Sequence, residues 1–316
     1  MLPESFLHET RDFKPLIETV AETEKINDPA LVEKDYWIMH GLYGLQQLGL
    51  TFELKGGTSL SKGFQIINRF SEDIDIRIEP PKDRDVKTGR NHDKPAHIQS
   101  RKDFYDWLAK TIRINGIEKV ERDTAFDNKT LMSAGIRLFY KTHTKALDGL
   151  KPGVLLELGF DDVTPNTKKD ISSWLYNYAA DKVSIIDSRA KDVACYDPGY
   201  TFVEKLQTVS TKFRQQQASQ EFPINFMRHY YDIYSLLRRP EVQAFIGTAD
   251  YQAHKTRRFR GGDNPSIVEN QAFVLSDPET RKAYAKAFAE SSALYYGDKP
   301  TFEQILQEIG KWIDRL

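Results

Sequence analysis

The segment SEDIDIRI, residues 71–78, alternates isoleucine with polar residues at every second position. Successive side chains of a β-strand point to opposite faces of its sheet, so this alternation predicts a strand with one buried face and one polar face. Asp73 and Asp75 lie together on the polar face. Two carboxylates on one face repel each other unless a cation or a proton lies between them. Asp73 and Asp75 are therefore candidate metal ligands.

The segment TFELKGG, residues 51–57, comes before this strand and ends at two glycines. It predicts a strand that runs into a turn, after which Leu60, Phe64 and Ile67 recur at the spacing of one helix face. Free backbone N–H groups at the start of a helix favour phosphate. The segment GGTS, residues 56–59, is thus a candidate phosphate-binding turn, although a plain tight turn would also use two glycines.

The pattern of the chain changes at about residue 196. Before it, segments of helix and strand character alternate, beginning with a long helix whose start is marked by Asp28 and Pro29. From Pro198 onward the apolar residues recur almost only at helical spacing. A length of 316 residues favours two domains. We predict a domain of mixed strands and helices over residues 1–195 and a helical domain over residues 196–316.

A third carboxylate lies in the segment GVLLELGF, residues 153–160, where Glu157 points away from the apolar face of a predicted strand. It could share a metal ion or act as a general base. Simpler explanations exist, since Asp73 and Asp75 could form a solvated edge and Glu157 could pair with a buried cation. The order of glycine turn, paired aspartates and later carboxylate nevertheless suits nucleotidyl transfer, in which carboxylates hold divalent cations on a triphosphate. Hard oxygen ligands favour Mg²⁺.

Charge and cysteine content limit the possible partners. The formal net charge is only -1, so contact with RNA would require local basic patches. Residues 80–103 predict a long surface loop that is disordered or contacts the substrate. The candidate RNA contacts are Lys82, Arg84, Lys87, Arg90 and Lys94 in this loop, and His254, Lys255, Arg257, Arg258 and Arg260 further on.

Cys195 is the only cysteine, which excludes an internal disulfide and suits a reducing compartment. No segment approaches the roughly 18 apolar residues that a membrane span requires. We expect a cytoplasmic protein without a membrane partner.

The run KGGTSLSKGFQIINRFSEDIDI, residues 55–76, closely resembles the signature of the AbiEii/AbiGii family of nucleotidyltransferase toxins, which includes the MenT-type toxins. Three further segments resemble family motifs in the expected order, so that the resemblance extends from residue 31 to about residue 237. They are LVEKDYWI at 31–38, FVEKLQTVSTKFR at 202–214 and RHYYDIYSL at 228–236.

The resemblance implies an α+β fold, with a DNA polymerase β-like nucleotidyltransferase domain of mixed sheet and flanking helices followed by a helical C-terminal domain. It implies the toxin of a bacterial toxin–antitoxin (abortive infection) system, with a cognate antitoxin as partner. Its activity would use Mg²⁺ and a nucleoside triphosphate to modify an RNA acceptor, often the 3′ end of tRNA.

The resemblance also assigns residues. Gly57 and Ser59 match the phosphate loop, Asp73 and Asp75 match the metal ligands, and Lys205 and Asp232 match the catalytic lysine and the final aspartate. The candidate nucleotide-binding set is Gly56, Gly57, Thr58, Ser59 and Lys62, and the candidate catalytic set is Asp73, Asp75, Glu157, Lys205 and Asp232.

Some positions have competing interpretations. Lys205 would contact phosphate as a point charge. It lies one residue away from the apolar face of its predicted helix, however, so it could simply face solvent. Arg228 and Asp232 are four residues apart and could form a surface pair on a helix. His229 stands where some relatives have an acidic residue and receives no catalytic role. The charged segment 34–35 is expected at a helix surface, outside the site.

Two other functions use the same residues. A kinase-like phosphotransferase would transfer the γ-phosphate from the same site. A catalytically silent module would bind a nucleotide in order to regulate a partner, but it would not need two facing carboxylates.

Overall fold

The computed structural model describes residues 4–89, 91–223, 225–259, 261–291, 295–296 and 299–316. The chain forms two compact units. The first unit runs to Phe64 and continues over Phe70–Tyr196, and the second combines Gln65–Arg69 with Asp197–Leu316. The division into domains after residue 195 remains a prediction.

A mixed β-sheet forms the centre of the first unit. In the described residues its strand order is β3-β4-β5-β2-β1-β7-β6, with β1 parallel to β7, β2 parallel to β5, and the other neighbours antiparallel. The strands are β1 (Phe52–Lys55), β2 (Asp73–Ile78), β3 (Ile117–Asp123), β4 (Ser133–Tyr140), β5 (Val154–Gly159), β6 (Asn166–Ile171) and β7 (Ala190–Tyr196).

Helices flank this sheet, as the α+β prediction requires. They are α1 (Phe13–Thr23), α2 (Pro29–Gln47), α3 (Gly56–Thr58), α4 (Pro95–Thr111) and α5 (Trp174–Ala179). The Asp28 carboxylate accepts a hydrogen bond of 2.8 Å from the backbone N–H of Ala30, which confirms the predicted start of α2. Helix α2 packs against α1, α5 and strands of the sheet, so it is buried around almost its whole circumference.

Two local predictions were wrong. The helix that begins at Gly56 continues only as a π-helical turn over Ser59–Gly63, because Gln65 adopts a left-handed conformation with φ of 54°. The predicted 80–103 loop ends at Lys94, where Pro95 starts α4. The buried Arg101 of α4 donates hydrogen bonds to backbone carbonyls of this loop and so fastens it to the unit.

The second unit is helical after Tyr196, as the sequence predicts. The Asp197 carboxylate caps its first helix by accepting a 2.8 Å hydrogen bond from the Gly199 N–H. Apolar side chains at helical spacing, such as Phe202 and Leu206, are buried. The helices are α6 (Pro198–Ser219), α7 (Arg228–Leu237), α8 (Pro240–Phe245), α9 (Ala249–Arg258), α10 (Gln271–Val274), α11 (Pro278–Glu290) and α12 (Phe302–Trp312). Within the described ranges, no helix is both long and apolar enough to cross a membrane.

Candidate active site

The polar face of β2 carries the predicted aspartates. Ile74 and Ile76 are completely buried, whereas Asp73 and Asp75 are half-buried on the opposite face. Asp75 is paired with Lys55 on β1 and with Glu157 on β5. Because paired residues on neighbouring strands share a face, Lys55, Asp75 and Glu157 form one row across three strands. The pairing of β2 with β5 thus brings the third carboxylate beside the predicted aspartates.

The glycine turn lies directly against this row. Gly56 follows β1 with φ of +70°, a conformation that favours glycine. A Cβ atom at position 56 would lie 2.2 Å from Oδ2 of Asp75, so the missing side chain makes room for the carboxylate. The Thr58 hydroxyl donates a 2.6 Å hydrogen bond to the backbone carbonyl of Asp73. Turn and strand are therefore held together by close packing and by a direct hydrogen bond.

The other members of the predicted nucleotide-binding set are less accessible. Gly57 and Ser59 are buried. The Lys62 ammonium lies 2.6 Å from Oδ1 of Asp35 and 3.7 Å from the centre of the Trp174 ring. Burial lowers the pKa of Lys62, and the neighbouring Asp35 carboxylate opposes this shift. Lys62 is therefore already paired within the unit, and its contact with a nucleotide remains a prediction.

The expectation that Lys34 and Asp35 lie at a helix surface was wrong, since both are about 1% exposed. The Lys34 ammonium donates a 2.6 Å hydrogen bond to the carbonyl of Lys151 and lies 3.5 Å from Glu72. Burial lowers the pKa of Lys34, whereas the charges of Glu72 and Asp73 raise it. The electrostatic interaction with Asp73 links Lys34 to the predicted metal ligands. The sequence signal for the buried Lys34 is a charged triplet, residues 33–35, inside an otherwise mostly apolar helix.

The second unit contains a buried ion cluster around Asp232. Arg69 donates two hydrogen bonds to this carboxylate, from Nε to Oδ1 at 2.7 Å and from Nη2 to Oδ2 at 2.8 Å. The Lys205 ammonium lies 2.9 Å from Oδ2. Burial alone would raise the pKa of Asp232, but the two cations outweigh it and hold the pKa well below its ordinary value. The alternative interpretations, a solvent-facing Lys205 and a surface pair with Arg228, are therefore wrong.

His229 completes this cluster. Burial lowers the pKa of His229 far below its ordinary value, and the charge of Lys205 lowers it further. The neutral ring accepts a hydrogen bond of 3.4 Å at Nδ1 from the Lys205 ammonium. Lys205 is thereby held between an aspartate and a neutral histidine. No pattern in the sequence singled out Arg69 as a site residue. Its one signal is that it is a lone cation in the mostly apolar segment 64–70.

The predicted basic patches are partly used within the protein. Arg84 stacks on the Trp107 ring at 3.8 Å, and Lys87 forms an ion pair with Asp85. In the second patch, Arg258 lies 3.6 Å from Glu204. The predicted contacts at positions 90 and 260 lie outside the described residues.

The carboxylate oxygens of Asp73 and Asp75 on β2 suit Mg²⁺. Among the described residues, no group of three or more His, Cys, Asp or Glu side chains could hold a metal ion. Proteins often bind Mg²⁺ through only one or two carboxylates, while water and the phosphates of the substrate supply the remaining ligands. The Asp73 and Asp75 pair fits that mode of binding.

The sequence matches the profile of a protein family over residues 38–308. The match covers most of the chain and, together with the mixed sheet and its carboxylates, defines the protein as a nucleotidyltransferase. The matched family is described as nucleotidyl transferase AbiEii toxin, type IV toxin–antitoxin system, and the chain belongs to it. The family that residues 55–76 resemble is thereby confirmed. Membership of a toxin family also implies an antitoxin partner.

Two solved structures are similar to this chain. One is MenT4, a nucleotidyltransferase toxin from Mycobacterium tuberculosis H37Rv, with 13% identity over 88% of this chain and 98% of that chain and a TM-score of 0.41. The other is an antigenic nucleotidyltransferase-like protein from Paracoccidioides brasiliensis, with 13% identity over 72% and 95% of the two chains and a TM-score of 0.33. No sequence match is found among curated proteins.

Proposed function

We propose that this nucleotidyltransferase uses Mg²⁺ bound by Asp73 and Asp75 to transfer a nucleoside monophosphate to RNA, namely the 3′ end of tRNA. The main supporting observation is the carboxylate row of β2 and β5 beside the glycine turn. Asp75 pairs in register with Glu157 and lies against the backbone of Gly56. The glycine turn would therefore face the phosphates, the two aspartates would hold the cation, and Glu157 would accept the proton of the attacking hydroxyl.

The transfer step assigns a role to each of these groups. The backbone of Gly56 and Gly57 approaches the triphosphate, because no side chain at either position blocks it. The acceptor oxygen attacks the α-phosphorus, its proton passes to Glu157, and pyrophosphate leaves. Asp73 and Asp75 would hold and orient Mg²⁺, which would neutralise charge on the phosphates.

Other assignments from the family resemblance are retained as proposals. Ser59 and Lys62 are proposed to support nucleotide binding, together with Thr58, which positions the turn. Lys205 and Asp232 are proposed to be needed for catalysis through their cluster in the second unit.

The decisive experiment compares Asp73→Asn with Asp181→Asn, which removes the same charge from an exposed position of the first unit. Each protein is incubated with total cellular RNA, Mg²⁺ or EDTA, and one α-labelled nucleoside triphosphate at a time. We expect label in tRNA-sized RNA with the wild type and Asp181→Asn, and none with Asp73→Asn or EDTA. The melting temperature of Asp73→Asn should change little, because the relief of carboxylate repulsion offsets the lost attraction to the buried Lys34.

Other outcomes would reject the proposal. Label that survives in Asp73→Asn would remove that carboxylate from the mechanism. Transfer of label only from γ-labelled donors would indicate a phosphotransferase, and nucleotide binding without any transfer would indicate a silent module.

A further inference from the structure

A pocket of about 660 Å³ opens within the second unit. Its volume lies in the range of pockets that bind small organic ligands, roughly 300 to 1,000 Å³. The described residues that line it include three cations and no carboxylate. They are Gln65, Ile66, Asn68, Tyr231, Tyr234, Ser235, Arg238, Arg239, Lys299, Pro300 and Gln304.

The end of α7 provides a flat recognition surface in this pocket. Arg238 donates a hydrogen bond of 2.9 Å to the Tyr234 hydroxyl, and its guanidinium carbon lies 5.2 Å from the centre of the Tyr234 ring. In the described part of the chain, Arg238 pairs with no carboxylate. A planar guanidinium binds phosphate through two hydrogen bonds, and a neighbouring aromatic ring can stack on a base.

Among the described residues, two of the three cations of the pocket have no carboxylate within ion-pair distance. Arg239 lies 3.5 Å from the exposed Glu241. Lys299 donates a 3.2 Å hydrogen bond to the carbonyl of Phe288 and lies over aromatic rings, without a described carboxylate within ion-pair distance. Burial lowers the pKa of Lys299. An anionic ligand would stabilise these cations.

The pocket shares a wall with the ion cluster of the second unit. Its lining residues Asn68 and Tyr231 are the chain neighbours of Arg69 and Asp232. The backbone N–H of Asn68 donates a hydrogen bond of 3.0 Å to the Tyr231 hydroxyl, which fixes this wall. A ligand in the pocket would therefore contact Tyr231, which interacts electrostatically with Asp232 and Arg69 of the cluster.

We propose that this pocket binds a nucleotide of single-stranded RNA, with its phosphate on Arg238 and Arg239 and its base stacked on Tyr234. The inference rests on the proposed function, in which RNA is the acceptor. Proteins read single-stranded RNA by combining backbone cations with aromatic platforms, whereas duplex RNA keeps its bases stacked and out of reach. Polar side chains such as Asn68 and Gln304 can pair with the edge of an unstacked base.

The first test removes two cations at a time. The pocket variant is Arg238→Gln with Arg239→Gln. The control variant is Arg11→Gln with Lys282→Gln, which causes the same change in net charge at exposed positions, since the Arg11 side chain is 95% exposed. Fluorescence anisotropy measures the binding of a 5′-fluorescein single-stranded RNA dodecamer and of the matching duplex, without nucleoside triphosphate or Mg²⁺. Melting curves check that each variant is folded.

We expect the pocket variant to bind the single strand roughly tenfold more weakly, because it loses both guanidinium groups that hold the phosphate; a factor of ten corresponds to about 1.4 kcal/mol. Loss of this one phosphate contact should also reduce the slope of log Kd against log salt by roughly 0.7. The control variant should change neither the affinity for the single strand nor the salt slope appreciably. Tyr234→Leu should weaken single-strand binding about fivefold or more and leave the salt slope unchanged, because it removes stacking and no charge.

Equal losses in the pocket and control variants would overturn the inference, because binding would then follow net charge alone. Unlabelled AMP, GMP, CMP and UMP serve as competitors. If the pocket variant loses mononucleotide binding but keeps RNA binding, the pocket takes a free nucleotide and the inference is wrong.

Failure of the inference can be told apart from failure of the proposed function. If the wild type labels RNA but the pocket variant binds RNA as tightly as the wild type, only the inference fails. If the wild type labels no RNA, the proposed function fails, whichever protein binds the dodecamer.

Discussion

Gly56→Ala tests whether the position of Asp75 controls catalysis. The added Cβ would lie 2.2 Å from Oδ2 of Asp75. Ordinary van der Waals contact begins at about 3.4 Å. The carboxylate would therefore have to move by more than 1 Å, and a misplacement of about 1 Å in a reacting group can cost roughly 100-fold in rate.

The same substitution also strains the backbone, and Gly49→Ala provides the matched control. Both glycines have φ of +70°, but a Cβ at position 49 would meet nothing within 4 Å. Each variant should lose about 1 to 2 kcal/mol of stability, because alanine is disfavoured in the left-handed region. Only Gly56→Ala should also displace the Asp75 carboxylate.

The assay measures kcat for nucleotide transfer to RNA and the free energy of unfolding in urea. We expect similar stability losses in the two variants, with kcat about 100-fold lower in Gly56→Ala alone. If the two variants transfer nucleotide at equal rates, the position of the Asp75 carboxylate does not control the reaction. A much larger stability loss in Gly56→Ala would instead show that the turn fails to form.

Two further predictions concern stability. Asp232→Asn leaves Arg69 and Lys205 without their buried counter-charge, so the second unit should lose about 3 to 5 kcal/mol in urea unfolding. Burial and, to a smaller extent, the charge of the nearby His8 lower the pKa of His40 from 6.5 in the unfolded chain to about 4. The stability linked to this histidine is therefore complete above pH 6.5 and is lost as the pH falls through about 4, a difference of about 3 kcal/mol. His40→Gln should flatten this dependence, measured by urea unfolding at several pH values.

Each of these variants has a surface control. Glu303→Gln breaks the exposed ion pair with Arg281 in the same unit and should cost at most about 1 kcal/mol. A comparable loss in Asp232→Asn would mean that its cluster is solvated. His92→Gln replaces an exposed histidine and should leave the pH dependence as it is in the wild type. If His40→Gln also leaves it unchanged, His40 is not buried in its neutral form.

The local patterns of the sequence were enough to predict several elements. The alternation of residues 71–78 predicted the two faces of β2, and Asp28 with Pro29 predicted the start of α2. These features depend on the spacing of side chains and on hydrogen bonds between residues close together in the chain. Both can therefore be predicted from the local sequence. The helix after Gly56 was predicted too long, because the left-handed conformation of Gln65 has no clear sequence signal.

The sequence by itself determined the alternation of β2, the start of α2 and the family. Only the tertiary structure decided which strand lies beside β2, and hence that Glu157 pairs with Asp75. It also decided that Arg69 binds Asp232, which is 163 residues away in the chain. The physical reason is that burial and charge pairing depend on contacts between distant segments. A charged residue in a helix becomes a surface group or a buried anchor according to what packs against it.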